Sequence, residues 1–331
     1  MDFYIPFELR VNPETAQART RHEAWVKSSG LLPGPEFYGL YEAWDFPKLV
    51  SYTYPTATGA RLDLAMNMIG LSFVWDDQHE RLCQRDRVRA VAHSREIMSI
   101  FHQPLERFTG PEVATTVRLW AQLWRELSEG MSSSWWCRAA QGWEWMAASF
   151  PQQARDHARP VPGLRHYSQV RRGVAGVEPT FASLEAIWGC EVPALAFHSP
   201  QVRLMHDAIV WATIWCNDVY SLEKEEADGD VDNIVLVLEN ARSCSRREAV
   251  DEVVSMVKEE SCTSEGGERW IYGPPLKRRS GWSRPGPAPS PWRCWPGSGP
   301  PGCRPPAAGP GRAGRAGVSG TRPWGHSTGS G

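Results

Sequence analysis

Acidic side chains are concentrated in Asp76-Asp77-Gln78-His79-Glu80, directly after the apolar stretch Arg61–Trp75. That stretch is too long for a strand and predicts a largely buried helix with the acidic segment at its C-terminal end. Asp76 and Glu80 are four residues apart, so their carboxylates share one helix face. The carboxylates repel each other and oppose the helix dipole, a cost that a divalent cation bound by oxygen ligands, such as Mg²⁺, would offset. A solvated acidic helix end is the alternative interpretation.

Oxygen-bearing side chains also form a second, later group. Asn217, Ser221 and Glu225 follow one another at intervals of four residues, so on a helix they lie in one stripe. The helix that leads into them, Leu204–Cys216, is apolar, and polar groups that continue a buried helix need partners. The stripe therefore indicates polar side chains with a binding role, and an exposed helix end with Lys224 and Glu225 in solvent is the alternative.

The elements that position both groups are predicted to be helices separated by Pro- and Gly-containing breaks. The predicted helices are Glu14–Ser28, Arg61–Trp75, Arg85–Phe101, Glu112–Ser128, Ser134–Phe150, Leu164–Gly173, Ser183–Ile187, Gln201–Glu226, Asn233–Glu239 and Arg246–Lys258. Pro151 is expected to end the fifth of them. Alternating runs rich in β-branched residues, which indicate strands, are absent from the sequence. The pattern predicts an all-α fold, a single-domain helical bundle.

Charge is distributed unevenly along the chain. Lys and Arg total 36 and Asp and Glu 38, a net charge of −2 that excludes a dominant nucleic-acid or membrane-binding signature. Residues 273–331 carry +9 with 13 Pro and 14 Gly, so residues 1–272 carry −11. A segment of that composition cannot form a core. We predict a helical domain over residues 1–265 and a Pro/Gly/Arg-rich low-complexity tail over residues 266–331.

The sequence also predicts where the protein works. No apolar run reaches the length of about 20 residues needed to cross a bilayer, and the N-terminus lacks a secretory signal. The eight Cys are scattered without the spacing of a zinc site. We expect a soluble, cytoplasmic protein, monomeric or homodimeric, without nucleic-acid or membrane partners.

Together, the two oxygen-rich motifs resemble those of the bacterial class I terpene synthases, in particular the sesquiterpene cyclases. Asp76-Asp77-x-x-Glu80 is followed, 137 residues after its Glu, by Asn217-Asp218-x-x-Ser221-x-x-x-Glu225. The segment Tyr167–Gly176 is similar to the pyrophosphate sensor of that family, with Arg171 46 residues before the Asn of the second motif. The resemblance covers about residues 3–260.

The resemblance implies a helical bundle whose cavity binds a small prenyl pyrophosphate and three Mg²⁺ ions between two metal motifs. Two ions would be held by the first motif and one by the second. The implied metal ligands are Asp76, Asp77, Glu80, Asn217, Ser221 and Glu225, and the implied pyrophosphate-binding residues are Arg171 and Lys224. Metal ions and basic side chains aimed at a leaving group stabilise the charge that develops on it. Closure of the site would then exclude water.

Ionisation of such a substrate leaves a carbocation, which the faces of aromatic rings stabilise by about 0.5–2 kcal/mol each. Phe73 lies three residues before Asp76 and is the first candidate for a ring that faces the cavity just below the metals. Trp188 and Trp211 are further candidates. Ordinary core packing is the alternative for each of these rings.

Two features depart from the family pattern. The first motif ends in Glu80 instead of Asp, which affects only that residue's direct coordination of a metal. Family members also carry a late Arg-Tyr pair that binds pyrophosphate on closure, and this chain has no Tyr beyond Tyr272. The segment in its place is interpreted as the product of a shifted reading frame, with a disordered tail or an Arg/Gly-rich nucleic-acid arm as alternatives.

The leading hypothesis is a Mg²⁺-dependent cyclase that ionises farnesyl pyrophosphate and forms a cyclic sesquiterpene or sesquiterpene alcohol. The preference for the C15 chain comes from the resemblance alone. A monoterpene synthase that acts on geranyl pyrophosphate and a chain-elongating prenyltransferase are alternatives, although the Asn/Ser/Glu form of the second motif counts against the latter. A catalytically impaired remnant, which binds Mg²⁺ and pyrophosphate but lacks the closure helix, is the non-enzyme alternative.

Overall fold

The computed structural model describes residues 3–32, 34–156 and 160–265. Every regular element within these ranges is a helix, and they contain no strand, so the predicted all-α fold is confirmed. The segment predicted as a tail, 266–331, lies outside the described residues. None of the described helices is long and apolar enough to cross a membrane.

Thirteen α-helices and two 3₁₀ turns make up the described part of the chain. The α-helices are α1 (Thr15–Ser29), α2 (Tyr38–Ala43), α3 (Phe46–Thr53), α4 (Gly59–Arg85), α5 (Arg87–Ile100), α6 (Thr115–Ser128), α7 (Ser133–Asp156), α8 (Leu164–Val174), α9 (Val177–Trp188), α10 (Ala194–Phe197), α11 (Pro200–Asp228), α12 (Ile234–Arg242) and α13 (Arg246–Glu265). The 3₁₀ turns are Pro35–Phe37 and Leu105–Phe108. The short helices α2, α3 and α10 were not predicted from the sequence.

Helix α4 is longer than predicted, which corrects the position of the first acidic motif. It continues for ten residues past Trp75 and ends at Arg85. No Gly or Pro interrupts residues 71–86, and buried His79 and Cys83 extend its apolar face. The acidic residues therefore lie inside the helix, where the dipole of the helix end does not act on them. Asp86 then ends α4, and its side chain accepts a hydrogen bond from the backbone N–H of Arg89 (3.0 Å) at the start of α5.

Pro151 lies inside α7, so the prediction that it ends this helix was wrong. Proline removes one backbone donor and strains the preceding turn, a cost that tertiary contacts can outweigh. Phe150 supplies such contacts, because its ring packs against Trp75 (centroids 4.9 Å apart) and against His79 (5.2 Å). Packing of that turn onto α4 thus holds the helix together.

Two hydrophobic clusters support the two motif-bearing helices. In the larger cluster, Trp75 of α4 packs edge to face on Trp120 of α6, with ring centroids 5.7 Å apart. In the smaller cluster, Trp211 and Trp215 of α11 stack on each other (5.6 Å) and are covered by aliphatic residues of α12 and α13. Each motif helix therefore has its own buried support, and aromatic pairs of this kind add about 0.5–1.5 kcal/mol beyond their area burial.

A buried polar chain joins α1, α2 and α4. His22 lies between Tyr41, whose hydroxyl is 2.7 Å from Nε2, and Asn67, whose Oδ1 is 2.8 Å from Nδ1. Because Asn67 Oδ1 can only accept, Nδ1 of His22 donates to it and Nε2 accepts from the Tyr41 hydroxyl. Gly70 of α4 lies directly against these two rings, and its lack of a side chain permits their close approach.

Candidate active site

The first wall of the candidate site is one face of α4. Phe73, Asp76 and Glu80 follow one another at intervals of three and four residues, and all three are exposed on this face. Asp77 is directed differently: its carboxylate pairs with Arg81 at 2.9 Å, and both residues line a small groove on the neighbouring face of the helix. The structure therefore brings Asp76 and Glu80 together with Phe73 and sets Asp77 apart from them.

Asp76 lies in an electrostatically unusual position. Asp76 is exposed at the surface of α4, yet the protein atoms around its carboxyl group displace much of the neighbouring water. This desolvation raises the pKa of Asp76 to about 7, and the negative charge of Glu80 adds to the rise. The positive charges of Arg171 and Lys224 oppose it, which means that α8 and α11 present basic groups to the acidic face of α4.

The second wall is formed by α11, where the three predicted ligands are joined by hydrogen bonds. The Ser221 hydroxyl is 2.7 Å from Glu225 Oε1 and 2.8 Å from the backbone carbonyl of Asn217. Asn233, at the start of α12, donates from Nδ2 to Glu225 Oε2 (2.8 Å). Burial raises the pKa of the Glu225 carboxyl, and the charge of Arg171 opposes that rise. The stripe that the sequence predicts is thus a set of adjacent oxygens on one helix face.

Arg171, near the end of α8, reaches this set of oxygens directly. Its terminal nitrogen donates to Asn217 Oδ1 at 2.6 Å and lies 3.9 Å from Glu225 Oε1. Burial lowers the pKa of Arg171, but the negative charges of Asp218 and Glu225 outweigh this effect, so its pKa is raised and the guanidinium stays charged. A cationic side chain therefore occupies the space beside the predicted ligand oxygens.

Asp218 belongs to the same cluster, and the sequence interpretation gave it no role. Its fully buried carboxylate accepts hydrogen bonds from Arg171 Nε (2.7 Å), from the Tyr167 hydroxyl (2.6 Å) and from the backbone N–H of Ile234 (2.8 Å). The available signal was its position three residues after Trp215, on the apolar face of α11. A carboxylate on a buried helix face needs a cationic or hydrogen-bonding partner.

The remaining predicted residues differ widely in their exposure to solvent. The Lys224 side chain is 83% exposed, and its ammonium is 4.0 Å from Asp228. Trp188, at the end of α9, is 48% exposed, whereas Trp211 is buried in the core and does not face an open site. Arg172, although adjacent to Arg171, forms a separate ion cluster.

Arg172 points to a different side of α8 from Arg171 and has different partners. Its guanidinium contacts Glu178 of α9 (2.5 Å) and Asp207 of α11 (2.6 Å), and it lies over the ring of Trp145, 5.7 Å from the centroid. These contacts tie α7, α8, α9 and α11 together around the helix that carries Arg171.

The donor set on these walls fits a hard divalent cation. Among the described residues, no three His, Cys, Asp or Glu side chains are grouped closely enough to hold a metal by themselves. The oxygens of α11 instead come from an amide, a hydroxyl and a carboxylate, and Arg171 shows that a positive charge is accommodated beside them. Oxygen ligands of this kind suit Mg²⁺, which retains water and shares its coordination with substrate phosphates. The residues present therefore fit the metal that the sequence predicts.

Comparison with known proteins places this geometry in a family. A family model described as "Terpene synthase family 2, C-terminal metal binding" matches residues 67–261, a span that contains both oxygen-rich motifs and Arg171. The chain belongs to terpene synthase family 2. The predicted family and enzyme class are confirmed: the protein is a terpene synthase, a lyase of the class that acts on prenyl diphosphates.

Relatives of this terpene synthase include enzymes of Streptomyces species. It is 34% identical over 260 residues to a 7-epi-α-eudesmol synthase ((2E,6E)-farnesyl diphosphate cyclizing) of Streptomyces viridochromogenes. The matched region covers 77% of this chain and 75% of the relative. It is 32% identical over 264 residues to the R-linalool synthase of Streptomyces clavuligerus, and this matched region covers 78% of this chain and 77% of that relative. The solved linalool/nerolidol synthase from Streptomyces clavuligerus in complex with 2-fluorogeranyl diphosphate matches with a TM-score of 0.72 at 30% identity, over 78% of this chain and 87% of that one.

Proposed function

We propose that this terpene synthase requires Mg²⁺, ionises farnesyl diphosphate and converts the resulting cation into a cyclic sesquiterpene or sesquiterpene alcohol. The observation that carries the proposal is the cluster of Arg171, Asn217, Ser221 and Glu225, whose basic member acts electrostatically on Asp76 of the opposite wall. Acidic oxygens on two walls, with a cation between them, are what binding of a metal-bound diphosphate requires.

The proposed metal ligands fall into two sets. Asp76, with Asp77 and Glu80, would hold two ions at α4, and the α11 set of Asn217, Ser221 and Glu225 would hold the third. Bound metal ions stabilise the negative charge that develops on a departing diphosphate. Among the α4 residues, Asp76 and Glu80 share the exposed face that carries Phe73, whereas Asp77 is paired with Arg81 on the neighbouring face.

Arg171 and Lys224 are the proposed diphosphate-binding residues. Arg171 is held rigidly by Asp218, so its guanidinium is oriented before substrate arrives. Lys224 is exposed and flexible enough to approach a ligand bound between the walls. Both positive charges would stabilise the leaving group without transferring a proton.

The organic part of the substrate would lie against aromatic rings. Phe73 is one turn away from Asp76 on the same face, and its ring is stacked on that of Phe46 from α3. Negative charge on the face of an aromatic ring stabilises a passing carbocation. The α4 wall would thus combine carboxylates that hold metal ions with a ring suited to the cation that remains after the diphosphate departs.

Farnesyl diphosphate is the proposed substrate because the eudesmol synthase relative carries that compound in its name. Geranyl diphosphate is the second candidate, because the solved linalool/nerolidol synthase was crystallised with a fluorinated geranyl diphosphate. A catalytically impaired remnant stays a third hypothesis, since no Tyr follows Tyr272 to supply the family's Arg-Tyr pair.

The direct test is turnover. The purified full chain is incubated separately with farnesyl and geranyl diphosphate, with Mg²⁺ or with a chelator, and the extracted products are identified by gas chromatography and mass spectrometry. A cyclic C15 product that requires Mg²⁺ supports the proposal, and a C10 product formed in preference supports the monoterpene alternative. Linear farnesol or nerolidol alone, or no product, supports the remnant.

Variants test the assigned ligands. Asp76→Ala and Asn217→Ala should each reduce turnover by about 100-fold or more, in the range seen when charge-stabilising groups are removed. Glu223→Gln is the matched control, because it removes one exposed negative charge from the same helix as Asn217. Full activity of either alanine variant would show that the metal assignment is wrong.

A further inference from the structure

The Asp218 carboxylate joins three separate elements from one buried point. It accepts hydrogen bonds from Tyr167 and Arg171 of α8 and from the backbone N–H of Ile234, the first residue of α12. Its own backbone carbonyl accepts from Asn233 Nδ2 (2.6 Å), the same group that donates to Glu225. Because Asp218 is inaccessible to solvent, all of these contacts are with protein groups.

Burial raises the pKa of the Asp218 carboxyl, while the charge of Arg171 and the hydrogen bonds from Tyr167 and Ile234 act against that rise. Each of these partners favours the ionised form of the carboxylate. An ionised Asp218 in turn stabilises the charged guanidinium of Arg171. Because a buried charge without its partner is strongly destabilising, the two side chains stay paired.

Arg171 contacts both residues through one side of its guanidinium. Its Nε and its terminal nitrogen Nη2 each lie 2.7 Å from the buried Asp218 Oδ1, and Nη2 also donates to Oδ1 of Asn217, which is exposed on α11. Asn217 Oδ1 is also a proposed metal ligand, so Arg171 and a metal would compete for the same oxygen. Arg171 must release Asn217 for both residues to act in the proposed site.

We propose that Asp218 is the positioning residue that holds Arg171 through Nε and Nη2 while the N–H of Nη2 that reaches Asn217 changes partner. On binding of Mg²⁺ and diphosphate, the terminal nitrogen of Arg171 leaves Asn217 Oδ1 and donates to a diphosphate oxygen, which frees Asn217 for the metal. Tyr167 keeps Asp218 in place throughout the exchange. The inference rests on the proposed function. It adds that Arg171 donates to Asn217 when the site is empty and to diphosphate when the site is occupied.

Chemistry favours arginine for this role. A guanidinium presents its donors in a planar fork, so it can keep one hydrogen bond fixed while another changes partner. A lysine ammonium at this position could not place two nitrogens against Asp218 and still donate to a diphosphate. Loss of the Asp218 charge should therefore weaken ligand binding more than a loss of stability alone would.

The experiment measures binding of inorganic pyrophosphate in the presence of Mg²⁺ by calorimetry, on the full chain and at a temperature below the unfolding transition of every variant. Asp218→Asn, which keeps the shape but removes the charge, should weaken binding by about 10-fold or more, comparable to loss of a conserved outer partner at a metal site. Tyr167→Phe should weaken binding by a smaller factor and is informative even if Asp218→Asn does not fold.

Glu185→Gln is the control for a loss of stability alone. Glu185 also forms a largely buried ion pair with Arg138 (2.9 Å), on helices α9 and α7, which carry none of the α11 oxygens. This variant should be destabilised without a change in pyrophosphate affinity. The signal of the Arg171 Nε–H in a ¹H–¹⁵N spectrum, assigned by its loss in Arg171→Lys, should stay protected from exchange with solvent when Mg²⁺ and pyrophosphate are added.

The outcomes separate this inference from the proposed function. If the unaltered chain does not bind Mg²⁺ and pyrophosphate together, the proposed function fails and the exchange fails with it. If the unaltered chain binds but Asp218→Asn or, where that variant is unfolded, Tyr167→Phe binds equally well, only the inference is overturned. Loss of the exchange protection of the Arg171 Nε–H on ligand binding would also overturn it.

Discussion

The ring of Phe46 stacks on the ring of Phe73, with centroids 4.5 Å apart and planes inclined by 26°. Phe46 is 4% exposed and Phe73 is 42% exposed, so a buried ring supports one that faces the open side of α4. Phe46 belongs to α3, a helix that the sequence did not predict. The aromatic surface one turn from Asp76 is therefore formed by α3 and α4, of which only α4 carries a recognisable motif.

This stack predicts an effect on product outcome. Phe73→Leu keeps much of the side-chain volume but removes the ring face, a loss of about 0.5–2 kcal/mol of cation stabilisation. The rate of cyclic product formation should fall by about 2- to 30-fold, with a larger share of linear products, as measured by gas chromatography. Phe197→Leu is the control, because Phe197 lies over Arg138 and not on the α4 wall. An unchanged product profile in Phe73→Leu would contradict a role in cation stabilisation.

The α11 oxygens predict that stability depends on ligand. A ligand present at 100 times its dissociation constant stabilises the folded state by about 2.7 kcal/mol. Mg²⁺ with inorganic pyrophosphate should therefore raise the thermal unfolding midpoint, and a chelator should abolish the increase. Glu225→Gln should lose the response, while Glu223→Gln should retain it. An increase that survives in the chelator would mean that pyrophosphate binds without metal.

The buried His22 predicts loss of stability in acid. Burial lowers the pKa of His22, only partly opposed by its hydrogen bond to Asn67, so the folded state favours the neutral ring. Its contribution to stability is complete above the unfolded pKa of about 6.5 and is lost as the pH falls below that value, by up to about 1.4 kcal/mol per pH unit. Urea unfolding at pH 7 and pH 5 should show a smaller acid-induced loss in His22→Gln than in the unaltered chain.

His102 provides a control of opposite sign. Its hydrogen bond with Glu144 raises the pKa of His102, so its contribution is present below about 6.5 and is lost as the pH rises. His102→Gln should therefore leave the loss between pH 7 and pH 5 as large as in the unaltered chain, or larger. An equal flattening of the pH dependence in both variants would show that His22 is not the group responsible.

Gly70 predicts a steric limit on the helix that carries the first motif. A Cβ at this position would lie 2.8 Å from Cε1 of His22 and against the hydroxyl of Tyr41. Gly70→Ala should lower the free energy of unfolding by about 1–3 kcal/mol through overpacking, as measured by urea unfolding. Gly39→Ala should instead be neutral or stabilising by up to about 1 kcal/mol, because no atom lies within 4 Å of its Cβ position. Equal effects of the two substitutions would contradict this account.

Much of the fold follows from the sequence because long amphipathic helices leave a periodic pattern. The predicted helix Glu14–Ser28 differs by one residue at each end from α1, and the predicted Gln201–Glu226 corresponds closely to α11. The errors occur where tertiary contacts outweigh local preference. Pro151 is tolerated inside α7 because the turn that contains Phe150 packs on α4.

The family and the spacing of its metal motifs were determined by the sequence itself, because ligand spacing along a helix fixes which side chains share a face. The placement of Asn217, Ser221 and Glu225 in one stripe needed no coordinates. Tertiary structure alone decided that Asp77 is paired with Arg81 and that Trp211 belongs to the core. It also decided that Asp218 lies behind Arg171, because a contact across 47 residues depends on how two helices pack, which neither helix encodes by itself.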